Sequence, residues 1–319
     1  MTVLFALLCF GGLVAAVAPR LLSRADWQER EPVLALWVWQ CVVAAVLLAC
    51  VAALALSAAA AWQSVRGQLF AFAPPGVEAA YGLGDYGRWA ALFAGLLALG
   101  GARTATTLVR EVRAARAIRR RRRAELLRRV PVLPAELDAR RPGADRPTER
   151  LVVLESERAE TWWLPGPEPQ LVITTAALRR LGGRRLDAVV AHERGHARAR
   201  HHWLQYCASA LANGFGQVPV FVGFREQVYR LVELAADDSA SRRHGRLTTA
   251  LALVELNEDR GSFGPCPPPH THLPVRVHRL LDPKPRLPLV SRVRLTVLAL
   301  LVPAAPLLVT FGPGLHAMA

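Results

Sequence analysis

Residues 33–61 contain no charged side chain. A helix of that length exceeds the ~20 residues needed to cross the hydrocarbon core of a bilayer. No other feature limits the possible folds as much, because so long an apolar run cannot be covered in a small soluble domain. Trp37 and Trp39 mark one end of the run and Trp62 the other, as expected of aromatic anchors at a membrane interface. Three further apolar runs occupy residues 2–18, 89–109 and 295–311. The composition agrees, with 52% hydrophobic residues and a positive mean hydropathy. Residues 2–18 have no basic stretch before them and run directly into Pro19. They therefore read as a first span with its N-terminus outside rather than as a cleaved signal.

Charge sets the orientation. The net charge is +15, and Lys284 is the only lysine. Arg110, Arg113, Arg116, Arg119 to Arg123, Arg128 and Arg129 crowd behind the third run. The positive-inside rule places that end in the cytoplasm and leaves the polar loop 64–88 outside. Such a run can bind nucleic acid. Because it abuts a span at the expected face, contact with anionic lipid headgroups is the better reading, and no direct nucleic-acid binding is expected. Arg292 and Arg294 precede the last apolar run and put its start in the cytoplasm too.

Between the third and fourth runs lies the chemistry. Residues 131–147 read as a Pro-, Arg- and Asp-rich linker. Short strands are expected at 151–154, 161–164 and 171–175, and a short helix at 176–181. Then follows His192-Glu193-Arg194-Gly195-His196 in a helix-patterned segment. Side chains four apart share a helix face, so His192 and His196 can present two imidazoles to one metal ion. Glu193 beside them can act as general base on a water molecule. A catalytic zinc takes three protein ligands and keeps one position open. The best third ligand is Glu233, and Asp237, one turn later, can hold the second ring nitrogen of a ligating histidine. His201 and His202 read as surface or fold residues. The five cysteines match no disulfide framework or zinc knuckle.

The apolar segment 203–224 is limited by this ligand set. A single crossing would separate Glu233 from the histidines, and the interval is too short for two full spans. The segment must dip into the membrane, lie along it or pack in the protein core.

The helix bearing His192 to His196, the strands before it and Glu233-Leu-Ala-Ala-Asp237 together resemble membrane-integrated gluzincin peptidases. Two branches compete, the BlaR/MecR-type antibiotic-sensing metallopeptidases and the HtpX/CAAX-protease branch. The span count favours the BlaR/MecR type. That resemblance implies a cytoplasmic protease between spans three and four that cleaves a winged-helix repressor, with the sheet edge near 163–174 holding substrate as an added strand. The penicillin-binding domain of such sensors is not expected here. Leu281 stands three before Lys284, so there is no Ser-x-x-Lys site for β-lactam acylation. The HtpX-like branch carries a later His-Pro segment followed by Arg. His272-Leu-Pro-Val-Arg276 resembles a shortened form, which makes His272 and Arg276 transition-state or structural helpers.

The expected architecture is an α-helical multi-pass membrane protein of about four spans with a cytoplasmic α+β zinc metalloprotease domain. Three spans fall within residues 1–109, a basic helix and linker within 110–150, the peptidase domain within 151–291 and the fourth span within 292–319. The expected function is a zinc-dependent endopeptidase of the bacterial cell membrane, with one Zn²⁺ per chain. It would act on a protein substrate in regulatory or quality-control proteolysis. An inactive receptor or scaffold is the non-enzyme alternative. No motif specifies the oligomeric state.

Overall fold

The computed structural model describes residues 2–83, 87–129, 150–164, 170–257 and 273–319. The expected linker at 131–147 and His272 lie outside them. The chain begins with α1 (Thr2–Ser23), α2 (Trp27–Arg30), α3 (Pro32–Ala61), α4 (Gln63–Leu69), a 3₁₀ turn at Ala79–Tyr81 and α5 (Gly87–Arg129). Then come β1 (Arg150–Leu154), β2 (Thr161–Leu164), β3 (Gln170–Thr174), α6 (Thr175–Arg180) and α7 (Gly183–Arg198). The remaining helices are α8 (His201–Gly214), α9 (Pro219–His244), α10 (Arg246–Asn257), α11 (Leu273–Leu281) and α12 (Leu289–Met318). Two compact units result. One comprises Met1–Glu111, Tyr206–Val228 and Arg286–Ala319, and the other Val112–Gln205 and Tyr229–Pro285.

Among the described residues, four helices are long and apolar enough to cross a membrane: Thr2–Ser23, Pro32–Ala61, Trp89–Ile118 and Leu289–Met318. Each extends beyond its apolar run. Pro19 lies inside α1 instead of ending it, because a proline gives up one helical hydrogen bond without preventing the next turn. Small residues let α3 approach its neighbours closely. Ala35, Ala45, Ala53 and Ala59 are fully buried, and a Cβ on Gly11 of α1 would sit 3.4 Å from Ala49. Trp37 and Trp62 are exposed, but Trp39 is only 1% exposed. Its indole donates to Gln28 Oε1 at 3.2 Å, and Gln28 in turn donates to the Leu22 carbonyl. Trp39 is thus a core residue with a satisfied polar group rather than an interfacial anchor. The expected polar loop at 64–88 contains helix α4 and the 3₁₀ turn.

The segment at 203–224 is two helices with a break between them. The chain leaves the second unit after Gln205 and re-enters it at Tyr229. At the break, Val218 N–H donates to the Phe215 carbonyl. Glycines allow close approach on both sides. A Cβ on Gly214 would meet Thr107 at 3.2 Å, and one on Gly223 would meet the Trp39 ring at 3.2 Å. Arg103 donates to the Gly214 carbonyl, satisfying one of the orphan acceptors at the end of α8.

The second unit holds a three-stranded sheet in the order β1-β3-β2. β1 runs parallel to β3, with Val152 opposite Val172, and β2 runs antiparallel, with Trp162 opposite Val172. β2 is therefore an edge. Alternation along β3 sends Leu171 and Ile173 into a core with Ala188 and Val189 of α7 and Ala252 and Leu256 of α10. Val172 packs with Val152 and Leu164 on the other face. The Thr174 hydroxyl caps α6 by accepting from Ala177 N–H at 3.2 Å. It also accepts from Glu160 N–H and donates to the Arg158 carbonyl, which ties the end of β3 to the chain entering β2.

Candidate metal centre

The buried stripe of α7 is Ala188, Val189, Ala191, His192 and Gly195. This is a helix-period pattern, so the residues that anchor α7 also aim His192 inward. Gly195 lies close against α9. A Cβ there would lie 3.3 Å from Ala236 Cα and 3.3 Å from Ser239 Cβ. The backbone contact brings Glu233 and Asp237, on one face of α9, opposite the two histidines of α7.

His192, His196 and Glu233 bring one donor atom each within 4.8 Å of one another. The two histidine Nε2 atoms are 3.1 Å apart. Glu233 places Oε2 3.6 Å from His192 Nε2 and Oε1 3.4 Å from His196 Nε2. A tetrahedral ion with ligand bonds of about 2.0–2.2 Å separates its ligands by about 3.3–3.6 Å. The spacing lies within a few tenths of an ångström of these values, and the two-nitrogen, one-oxygen donor chemistry fits a metal ion. On the far side of His192, Nδ1 lies 3.0 Å from Asp237 Oδ1.

Arg276 is 5% exposed and Asp237 is fully buried. The guanidinium forks onto Asp237, with Nε to Oδ2 at 2.7 Å and Nη2 to Oδ1 at 2.7 Å, and reaches Glu233 Oε2 at 2.9 Å. α11 thus joins the site through its one buried arginine, while His272, just before it, falls outside the described residues. Of the sequence-derived set, the structure brings together His192, His196, Glu233, Asp237 and Arg276.

Glu193 faces the sheet, where its Oε2 accepts from Trp163 N–H at 3.2 Å. Just before β2, the Glu160 carbonyl accepts from Thr174 N–H of β3. Alternation along an antiparallel ladder then turns the backbone of Thr161 and Trp163 away from β3, to the outer edge of the described sheet. The edge strand and the carboxylate beside the histidines are in direct contact.

His201 was expected on the surface or in the general fold, but it is 5% exposed. Its Nδ1 lies 2.9 Å from His196 Nδ1. Arg200, in the left-handed region at φ 51°, ends α7 and lets α8 begin with His201 turned back onto it. Spacing on one helix cannot reveal this contact, because the turn between α7 and α8 creates it.

Charge in the cluster is strongly coupled. Burial pulls the His192 imidazolium down, but hydrogen bonding and attraction from Asp237 and Glu233 outweigh it and push the group up to about 9. His196 goes the other way, to about 3, mainly through burial, with added repulsion from His192, His201 and Arg276. Burial also lowers His201, to about 4. Burial works against ionisation of Glu233 and Asp237, yet Arg276 first and the histidines second hold both carboxyls low, Glu233 well below the usual range and Asp237 at about 2. Two ionised carboxylates thus face two histidines, one cationic and one neutral.

The model of peptidase family M48 matches residues 135–259. This match supports a metallopeptidase of family M48. It takes in the sheet, both histidines, Glu193, Glu233 and Asp237, and ends before Arg276. Nothing among the curated proteins or the solved structures matches the chain. The possible His-His-Glu metal site is what a metallopeptidase requires, and the four long apolar helices are compatible with a membrane protein.

Proposed function

We propose that this chain is a membrane-integrated, zinc-dependent endopeptidase that hydrolyses peptide bonds of a protein substrate. The observation that carries this reading is the convergence of His192, His196 and Glu233 beside Glu193, whose carboxylate touches the outer edge of the described sheet. Two imidazoles and one carboxylate form the donor set of catalytic zinc sites that keep a position open. Zinc held there supplies Lewis acidity, polarising the scissile carbonyl and lowering the pKa of water toward ~7.

The chain's own residues do the rest. Glu193 accepts a proton from the attacking water and passes it to the leaving amine. Trp163 N–H orients the Glu193 carboxylate. Asp237 holds His192 through Nδ1, so that Nε2 faces the other two donors. Arg276 keeps Glu233 and Asp237 ionised. The outward backbone of Thr161 and the Trp163 carbonyl offer the substrate an edge to pair with.

The four apolar helices support a site in the bacterial cell membrane. The arginines along α5 support a cytoplasmic active side and contact with anionic lipid. Two substrate readings each have an observation behind them. The engagement of Arg276 with Glu233 and Asp237 favours the HtpX-like branch and quality-control cleavage of membrane proteins. The placement of the peptidase segment between the third and fourth apolar helices favours the BlaR/MecR-type plan and cleavage of a winged-helix repressor.

The test is Glu193→Gln. The variant should keep stoichiometric zinc and lose proteolysis, and proteins that accumulate in its presence but not with the active form name the substrate. Full proteolysis by Glu193→Gln would overturn the role of Glu193 as general base, and purified wild-type protein without stoichiometric metal would sink the proposal and leave the scaffold alternative standing.

A further inference from the structure

We infer that His201 is a positioning residue that sets the tautomer of His196, leaving His196 Nε2 free to bind the metal. The inference rests on the metal-site reading above and extends it by one residue outside the ligand set.

The argument is one of proton placement. Two imidazole nitrogens 2.9 Å apart, His201 Nδ1 and His196 Nδ1, are at hydrogen-bond distance, and such a contact holds one proton between them. If the proton belongs to His201, His196 accepts through Nδ1 and must carry its own proton on Nε2. That nitrogen faces His192 Nε2 at 3.1 Å and Glu233 Oε1 at 3.4 Å. A protonated Nε2 has no lone pair and cannot act as a ligand. If the proton belongs to His196 Nδ1, His201 Nδ1 accepts it and His196 Nε2 presents its lone pair to the cluster. Only this second arrangement is compatible with the donor set.

The geometry holds His201 in place. It is 5% exposed at the start of α8, and its ring stands edge-on to that of His196, with centroids 4.9 Å apart and planes at 81°. The two ligating histidines are thereby served by different chemistries. His192 has a carboxylate behind it, in Asp237, whereas His196 has a neutral ring. Carboxylates behind both histidines would add a further buried negative charge to a cluster that already holds Glu233 and Asp237, with Arg276 as their cation.

A crossed pair of substitutions separates positioning from packing. His201→Asn removes the ring but keeps an acceptor oxygen at the place of Nδ1. His201→Phe keeps the ring and its edge-on packing but removes the acceptor. Zinc affinity of the full-length protein in detergent is measured by chelator competition, together with the visible spectrum of the cobalt-loaded forms. The inference expects His201→Asn to bind within about threefold of wild type, with an unchanged tetrahedral cobalt spectrum. It expects His201→Phe to bind roughly ten- to a hundredfold more weakly, as for loss of a group that orients a metal ligand. The reverse order, with Phe like wild type and Asn weak, would show that the ring only fills space and overturn the inference; equal affinities in both variants would do so as well. If wild-type protein binds neither zinc nor cobalt, it is the metal-site reading that fails, and the role of His201 falls with it. Should His201→Phe not fold, His201→Leu takes its place, with the same weakening expected and wild-type affinity again overturning the inference.

Discussion

Replacing Arg276 with alanine removes the only charged group that the structure puts against both Asp237 and Glu233 from α11. Three contacts are lost, two at 2.7 Å to Asp237 and one at 2.9 Å to Glu233. Taken singly, hydrogen bonds to charged partners contribute about 1.5–3 kcal/mol each. They do not add here, because the two bonds to Asp237 share one carboxylate. The larger effect is what remains: Asp237 at 0% exposure would keep its charge with His192 as its nearest cationic partner. Breaking a buried pair by deleting one member costs about 3–5 kcal/mol, and that is the expected loss for Arg276→Ala with chelator present. It is a large share of a typical domain's stability of ~5–15 kcal/mol, so urea unfolding in detergent is best followed in the cold. Arg276→Lys should recover only part, since an ammonium cannot fork onto a carboxylate while reaching a second one. Arg179→Ala is the control, because that arginine pairs with Glu157 at 3.6 Å with both side chains largely exposed; it should unfold with the wild type. Zinc should narrow the gap between Arg276→Ala and wild type by giving Glu233 a new partner. A loss below about 1 kcal/mol, or full recovery by lysine, would refute the reasoning.

Two other expectations follow from the same contacts. Gly195→Val forces a side chain against Ala236 Cα and Ser239 Cβ, where a Cβ alone already sits at 3.3 Å. The two helices must part, at a cost of about 1–3 kcal/mol, and zinc stoichiometry should fall because Glu233 and the histidines sit on opposite helices; unchanged metal content would count against α7–α9 contact as the source of the geometry. The pH dependence follows from His192, which burial pulls down and Asp237 and Glu233 push up to about 9. It is protonated at pH 7 and must lose that proton to bind a cation, so zinc affinity should rise about tenfold per unit from pH 7 to 8 and level off above the folded-state value. Stability without metal runs the other way: a raised pKa contributes stability that is complete below the unfolded value of 6.5 and lost as pH rises through about 9. Calorimetry in buffers of different ionisation enthalpy should register about one proton released per zinc at pH 7, and none would refute the assignment.

The apolar helices were legible in the sequence because a span needs only length and an absence of charge, both properties of consecutive residues. The pairing of His192 with His196 was legible for a similar reason, since four residues make about one helical turn. Glu233 and Asp237 could be proposed from residue type and spacing, but their distance from the histidines depends on how closely α9 approaches α7, and that is set by Gly195. Arg276 was recognisable only as part of a resemblance. Its burial and its fork onto Asp237 required α11 to pack beside α9, which no local pattern specifies. His201 was missed because its contact with His196 runs through the turn at Arg200 and not along a helix face. Trp39 was misplaced because an indole at the end of an apolar run looks the same whether it meets lipid or Gln28. Local periodicity thus determined the elements, the two histidines proposed as ligands and the adjacent carboxylate proposed as base. The depth of the charges, the partner of each ring nitrogen and the edge strand's contact with Glu193 came from tertiary packing, because each depends on distances between residues far apart in the chain.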